Sequence, residues 1–168
     1  MSTIPPVSAA LTELNIPHRV FVHQGPVSSL EQAAAERGQT PEQVVRSLLF
    51  RLEEGCYVMV LAAGPAQISW AALRAHLGVS RLTTADRDEV VRVTGYPIGA
   101  VAPFGMPTAM PVLVDASVTE QTEVSIGSGV RGTAVILATS DLLAGLGDAS
   151  VVSLRDEKAA DESNRNAD

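Results

Sequence analysis

Between Gly95 and Gly105 the chain reads Gly-Tyr-Pro-Ile-Gly-Ala-Val-Ala-Pro-Phe-Gly, with three glycines, two prolines and no charge. Neither a helix nor a regular central strand accommodates that composition. Proline removes a backbone donor and fixes φ, while glycine admits dihedrals closed to other residues and lets main chain approach a ligand. Most glycine- and proline-rich stretches are solvated connections, and those are normally polar. Here Tyr96, Ile98, Val101 and Phe104 would be stranded in water. The segment is therefore expected to be a partly buried loop forming a rigid backbone wall of a pocket, the alternative being a plain surface connection.

The rest of the chain has to supply the core behind that wall. Of 168 residues 46% are hydrophobic, but only six are aromatic, so a single domain filled with aliphatic side chains is expected. No apolar run approaches the roughly 20 residues that span a bilayer. Met1-Ser2-Thr3-Ile4-Pro5-Pro6 lacks the basic and hydrophobic regions of a signal peptide. A soluble, cytoplasmic protein with no membrane partner is expected. Cys56 is the single cysteine, so it has no internal disulfide partner and reads as a small strand residue after Gly55.

Charge is distributed unevenly. The net charge is −7, and the last stretch, Arg155 to Asp168, carries five acids against three bases. The body keeps nine arginines against fourteen acids, which opposes nonspecific nucleic-acid binding over a broad surface. Nearly free of large apolar groups, Arg155 to Asp168 is expected to be a disordered or frayed tail.

Element signals mix helices and strands without regular alternation. Val7, Leu11 and Leu14 share helical spacing before Pro17, Arg19 to His23 alternates as a strand, and Ser28 or Ser29 can cap a helix ending at Gly38. Thr40-Pro41-Glu42-Gln43 repeats a cap with proline first. Val44–Leu52 and Tyr57–Ala63 read as a β-hairpin. Helices are expected from Ser69 to His76, from a Thr83 or Thr84 cap to Val93, and from Ser140 to Leu146. Further strands are expected at 112–115, 124–126 and 133–137. The fold class is α+β, a curved mixed, largely antiparallel and barrel-like β-sheet with flanking helices.

Three blocks carry a resemblance. The Gly99-x-x-x-Pro103 spacing lies between Thr94-Gly95-Tyr96 and Met110-Pro111-Val112-Leu113-Val114-Asp115. Gln43 to Phe50 forms a second block, and Ser128-Gly129-Val130-Arg131-Gly132 a third. Together they resemble the YbaK/ProX-like family of aminoacyl-tRNA deacylases, which includes trans-editing proteins and the editing domain inserted in bacterial prolyl-tRNA synthetases. The resemblance covers about residues 7–154, which defines one editing domain of residues 1–154 followed by the tail. It implies the same curved sheet and hydrolysis of the ester at the 3′ end of mischarged tRNA. The partner would be the acceptor end of aminoacyl-tRNA, which a few arginines suffice to hold, with a synthetase as the second candidate partner.

Hydrolysing an aminoacyl ester needs a held carbonyl, a placed water, a side-chain pocket and stabilisation of the developing oxyanion. The family supplies these with backbone around Gly-x-x-x-Pro and a lysine. This chain has Arg46 at the lysine position, and its one lysine, Lys158, lies in the tail. Arginine stays protonated, so Arg46 cannot be a general base, but its planar fork can hold phosphate or carbonyl oxygens. A solvated strand residue or surface ion pair is the alternative.

Gly99 is expected to hold the carbonyl, with Pro103 fixing the loop and both Ala100 and Pro103 among the substrate-binding residues. Ser47 would orient a water or the ribose, and as a strand neighbour of Arg46 it should point to the other face of the sheet. Ser128, Gly129 and Arg131 are candidate contacts to the substrate, and His23 a further pocket residue. Gly127 and Ala134 stand where cysteine-editing relatives carry serine and aspartate, which counts against a cysteine-specific activity. His18, His23 and His76 have no metal-ligand spacing, and no P-loop or dinucleotide fingerprint is present, so neither metal nor cofactor is expected. A family member that has lost hydrolysis and binds an amino acid, aminoacyl-tRNA or a synthetase is the alternative function.

Overall fold

In the computed structural model, which describes residues 4–53 and 55–155, short helices and strands follow one another without strict alternation. Helix α1 (Pro6–Glu13), strand β1 (Arg19–Val22) and α2 (Leu30–Glu36) lead through a 3-10 turn at Pro41–Gln43 into the hairpin β2 (Val45–Glu53) and β3 (Cys56–Ala63). Next come α3 (Trp70–Leu77), β4 (Thr83–Thr84), α4 (Arg87–Thr94) and, after the glycine- and proline-rich loop, β5 (Val112–Asp115) and α5 (Ala116–Thr119). The chain closes with β6 (Glu123–Gly127), β7 (Thr133–Ala138), α6 (Thr139–Leu146) and β8 (Ser150–Val152).

Local chemistry sets the helix ends. Ser29 accepts from Gln32 N–H and Ser69 from Ala72 N–H, as N-caps do. One start differs from expectation. Thr83 and Thr84 form β4, and Asp86 caps α4 through a reciprocal box with Glu89. Carboxylate capping at Asp86 starts the helix later and frees the two threonines to pair with β2. The sequence reading also passed over α5 and β8, which are too short to show periodicity.

The strands form two sheets, β1-β7-β6 and β4-β2-β3-β5-β8. Four of the pairings are antiparallel, and β3–β5 and β5–β8 are parallel. The expected curved mixed sheet is thus present as two open sheets, linked by an isolated parallel bridge between Val44 and Ser125. One apolar cluster, including Val45, Leu49, Leu61, Val101 and Ile126, fills the space between the sheets. A second, including Phe50, Val60, Leu73 and Leu113, lies on the opposite face of β2–β3 under α3. Of the expected tail, Arg155 bridges antiparallel to Ile68; the remainder lies outside the described residues.

Pairing leaves a gap along β2. One edge is covered throughout by β3. The other is bridged to β6 at Val44 and pairs with β4 only from Phe50 onward. Gly64 N–H donates to Val44 C=O, while Leu49 C=O accepts from Ala85 N–H on the opposite side. Strand alternation then directs Val44, Arg46 and Leu48 main chain to β3, and the N–H and C=O of Ser47 to the uncovered edge.

Candidate functional site

A cleft of about 360 Å³ opens at that uncovered edge. Its floor is β2 from Arg46 to Phe50, one wall is Ile98, Gly99 and Val101 of the glycine- and proline-rich loop, and Ala85 and Val90 close one end. Pro65, Gln67, Ile68 and Trp70 line it on the side of α3. Because the cleft wraps around a strand edge, it takes side chains from both faces of β2. Arg46 and Ser47 point to opposite faces, as strand alternation requires, yet both line it.

Arg46 is fixed by backbone. Its Nε donates to Gly64 C=O at 2.8 Å, and a terminal guanidinium nitrogen donates to Ala66 C=O. No carboxylate pairs with it among the described residues. Partial burial lowers its pKa from the ordinary guanidinium value, but an arginine still carries its charge at neutral pH. Carbonyl partners orient the group without neutralising it, and five N–H donors leave several for a ligand. The Ser47 hydroxyl is buried and has no hydrogen-bond partner among the described residues. A buried hydroxyl in that state carries a desolvation penalty that a ligand or water can relieve.

The loop wall is held by its own hydrogen bonds and by the β6–β7 turn. Tyr96, 3% exposed, donates from its hydroxyl to Phe104 C=O at 2.6 Å, closing a staple across Pro103. Burial raises the Tyr96 pKa, which keeps that donor protonated. Val101 and Phe104 are buried and Ile98 exposed. Gly99 takes φ +91° with open space where a Cβ would stand, so glycine is required there by the dihedral. Behind it, Ala100 N–H donates to Pro97 C=O at 3.0 Å and Ala100 C=O accepts from Gly129 N–H at 2.8 Å.

The structure separates the remaining expected residues from the cleft lining. Ala100 and Pro103 shape the wall from behind. Ser128, fully buried, uses its hydroxyl within its own turn, accepting from Val130 N–H at 3.1 Å and pairing with Thr133. Gly129 admits the Tyr96 ring, which a Cβ would meet at 2.9 Å. Arg131 is exposed, and its Nε donates to Ile98 C=O at 3.3 Å, bracing the loop from outside. His23 lies on the other sheet, where its Nδ1 meets Glu36 at 3.0 Å and its Nε2 accepts from Arg37 at 3.1 Å. That acceptor role leaves the His23 proton on Nδ1. Hydrogen bonding to His23 lowers the Glu36 pKa, and burial lowers that of Arg37.

Gly127 has a structural reason of its own. A Cβ there would stand 2.4 Å from Val101 O and 2.5 Å from the Ala100 carbonyl carbon. Any side chain at this position would push the cleft wall outward. Sequence reading missed Trp70, Gln67 and the Ala85–Val90 end of the cleft, which lie 20 or more residues from Arg46 in the sequence. Only the fold brings them to β2. The aromatic Trp70 directly after a capping serine was the one available signal.

Comparison with known proteins adds an independent line. The aminoacyl-tRNA editing domain family matches residues 24–144. A proline--tRNA ligase of Kosmotoga olearia is 38% identical over 92 residues, 55% of this chain and 16% of the ligase, so the chain spans only a small part of such relatives. The uncharacterized protein YwhH of Bacillus subtilis is 29% identical over 136 residues, 81% of this chain and 86% of that protein. A solved structure described as a candidate trans-editing enzyme for prolyl-tRNA synthetase superposes with a TM-score of 0.82 at 26% identity, covering 90% of this chain and 95% of that one. No helix among the described residues is long and apolar enough to cross a membrane.

Proposed function

The chain belongs to the aminoacyl-tRNA editing domain family, and on that premise we propose that residues 1–154 form a cytoplasmic trans-editing hydrolase that cleaves the 3′ ester of mischarged aminoacyl-tRNA. The observation that carries the reading is Arg46, a half-buried guanidinium held by two carbonyls and free of any carboxylate among the described residues, at a cleft walled by loop backbone.

Among the described residues the lining contains no acid, imidazole or thiol, which favours catalysis by positioning rather than through a covalent enzyme intermediate. The amino-acid side chain enters the apolar end beside Leu49, Ala85 and Val90. Backbone at Gly99 holds the ester carbonyl, with Arg46 stabilising the negative charge that develops on its oxygen or anchoring the terminal phosphate. Water adds to the carbonyl carbon, the tetrahedral intermediate collapses, and the C–O bond to the ribose breaks. The ribose oxygen recovers a proton derived from the attacking water, giving free amino acid and uncharged tRNA. Ser47, with an unpartnered hydroxyl and a main chain facing the open edge, orients the water or the ribose.

The test is deacylation of Ala-tRNA(Pro), Cys-tRNA(Pro) and Ser-tRNA(Thr) by the wild type, Arg46→Lys and Arg46→Ala. Arg46→Lys is expected to retain turnover. Arg46→Ala should lose at least about tenfold, the scale of one charged hydrogen bond. Equal rates for all three proteins would remove Arg46 from the mechanism. The absence of side-chain bases from the cleft also favours a second reading, a binding module, which ligand affinity without turnover of any substrate would identify.

A further inference from the structure

On the side of α3 the cleft does not end at a wall. Gln67, Ile68 and Trp70 line both this cleft and a neighbouring one that runs past the start of α3 to Ser153 and Arg155. Trp70 therefore stands on the ridge where the two meet. It is the chain's single tryptophan, and 41% of it is exposed although the second apolar cluster lies directly beneath. Its ring is fixed rather than loose. Ser69 caps the helix that carries it, and the ring meets Phe50 edge-on, with centroids 5.5 Å apart and planes at 89°. In a perpendicular pair Phe50 covers at most one face of the indole, so the other is left to a ligand.

We propose that Trp70 is the stacking platform for the terminal nucleobase of the RNA whose aminoacyl ester occupies the cleft. The inference rests on the deacylase reading and adds to it a subsite for the base. Two features select a nucleobase as the occupant. The platform is continuous with the ester cleft, so a nucleoside joined to a carbonyl held at Gly99 has a path out over it. Charge also suits the path on its inner side, where Arg46 stands free to meet an anionic backbone, while on the outer side Arg155 shares the lining with Asp115 and Glu120. Every base has a π-face, so stacking fixes the nucleoside without reading its sequence.

The sole tryptophan supplies the probe. A synthetic acceptor-stem RNA hairpin ending in CCA should quench Trp70 fluorescence saturably, and the same hairpin with an abasic terminal nucleotide should not. In steady-state deacylation, Trp70→Ala should raise KM about 5- to 100-fold, the range for one lost base–aromatic stack, while kcat changes less than about threefold and Trp70→Phe retains most of the affinity. Equal quenching by both hairpins, or a KM indifferent to Trp70→Ala, would overturn the platform and leave the deacylase reading intact. Quenching specific to the CCA hairpin in a protein that hydrolyses no aminoacyl-tRNA would support the platform and refute the deacylase reading.

Discussion

Gly127→Ala is the substitution in which fold and cleft are most directly coupled. Gly127 is not among the glycines with positive φ, so alanine is compatible with its backbone. Without neighbours the change would stabilise the protein by about 0.4–1 kcal/mol through the unfolded chain. In the fold, the new methyl group would stand 2.4 Å from Val101 O and 2.6 Å from Ala100 O, both main-chain atoms that cannot rotate away. Restoring ordinary contact at 3.4 Å requires a displacement of about 1 Å of β6 against the loop. Overpacking of that kind costs about 1–3 kcal/mol.

With a urea m-value of about 2 kcal/mol/M, a loss of about 2 kcal/mol moves the unfolding midpoint down by about 1 M. Because the displaced segment carries Gly99 and Val101 of the cleft wall, kcat/KM for deacylation should fall with stability, about 100-fold for a misplacement of this size. Gly132→Ala is the control. Its φ is +82° with nothing near a Cβ, so it should lose about 1–2 kcal/mol from the dihedral alone and leave turnover of the folded protein unchanged. An unchanged or raised midpoint in Gly127→Ala would refute the packing of the loop against β6.

Three further outcomes are expected. Ser47→Ala removes a buried hydroxyl without a partner; urea unfolding should show stability unchanged or raised by up to about 1 kcal/mol, while kcat/KM falls about 2- to 10-fold, and a large loss of stability would contradict the orphaned state. Tyr96→Phe leaves Phe104 C=O without the donor at 2.6 Å and should destabilise by about 1–3 kcal/mol, measured in the same way. Glu89, hydrogen-bonded by the Tyr57 hydroxyl, by Asp86 N–H and by Arg51, has its pKa lowered from 4.5 to about 2. Its contribution to stability is present above pH 4.5 and lost as pH falls toward 2. The thermal midpoint of Glu89→Gln should therefore decline less steeply than that of wild type across that window, and parallel declines would exclude the carboxylate as a source.

The sequence determined the local elements and the chemistry of the wall. Capping serines, a proline at the first turn of a helix and alternating aliphatics act over a few residues, so Ser29, Ser69 and the β2–β3 hairpin were legible. So was the partial burial of the loop, because Tyr96, Val101 and Phe104 had nowhere else to go. Arg46 and Ser47 were found through their block, and strand alternation put them on opposite faces. What the sequence could not contain is that the edge of β2 away from β3 is left unpaired between Val44 and Phe50, since the partners on that edge come from β4 and β6, far along the chain. That gap decides that opposite faces share one cleft and that Trp70 reaches it. It also decides that Ser128, Gly129 and Arg131 brace the loop while His23 belongs to a separate network on the other sheet. Glycine-rich blocks look alike whether they touch a ligand or another loop, and only the distances at Gly127 and Gly129 tell the two apart.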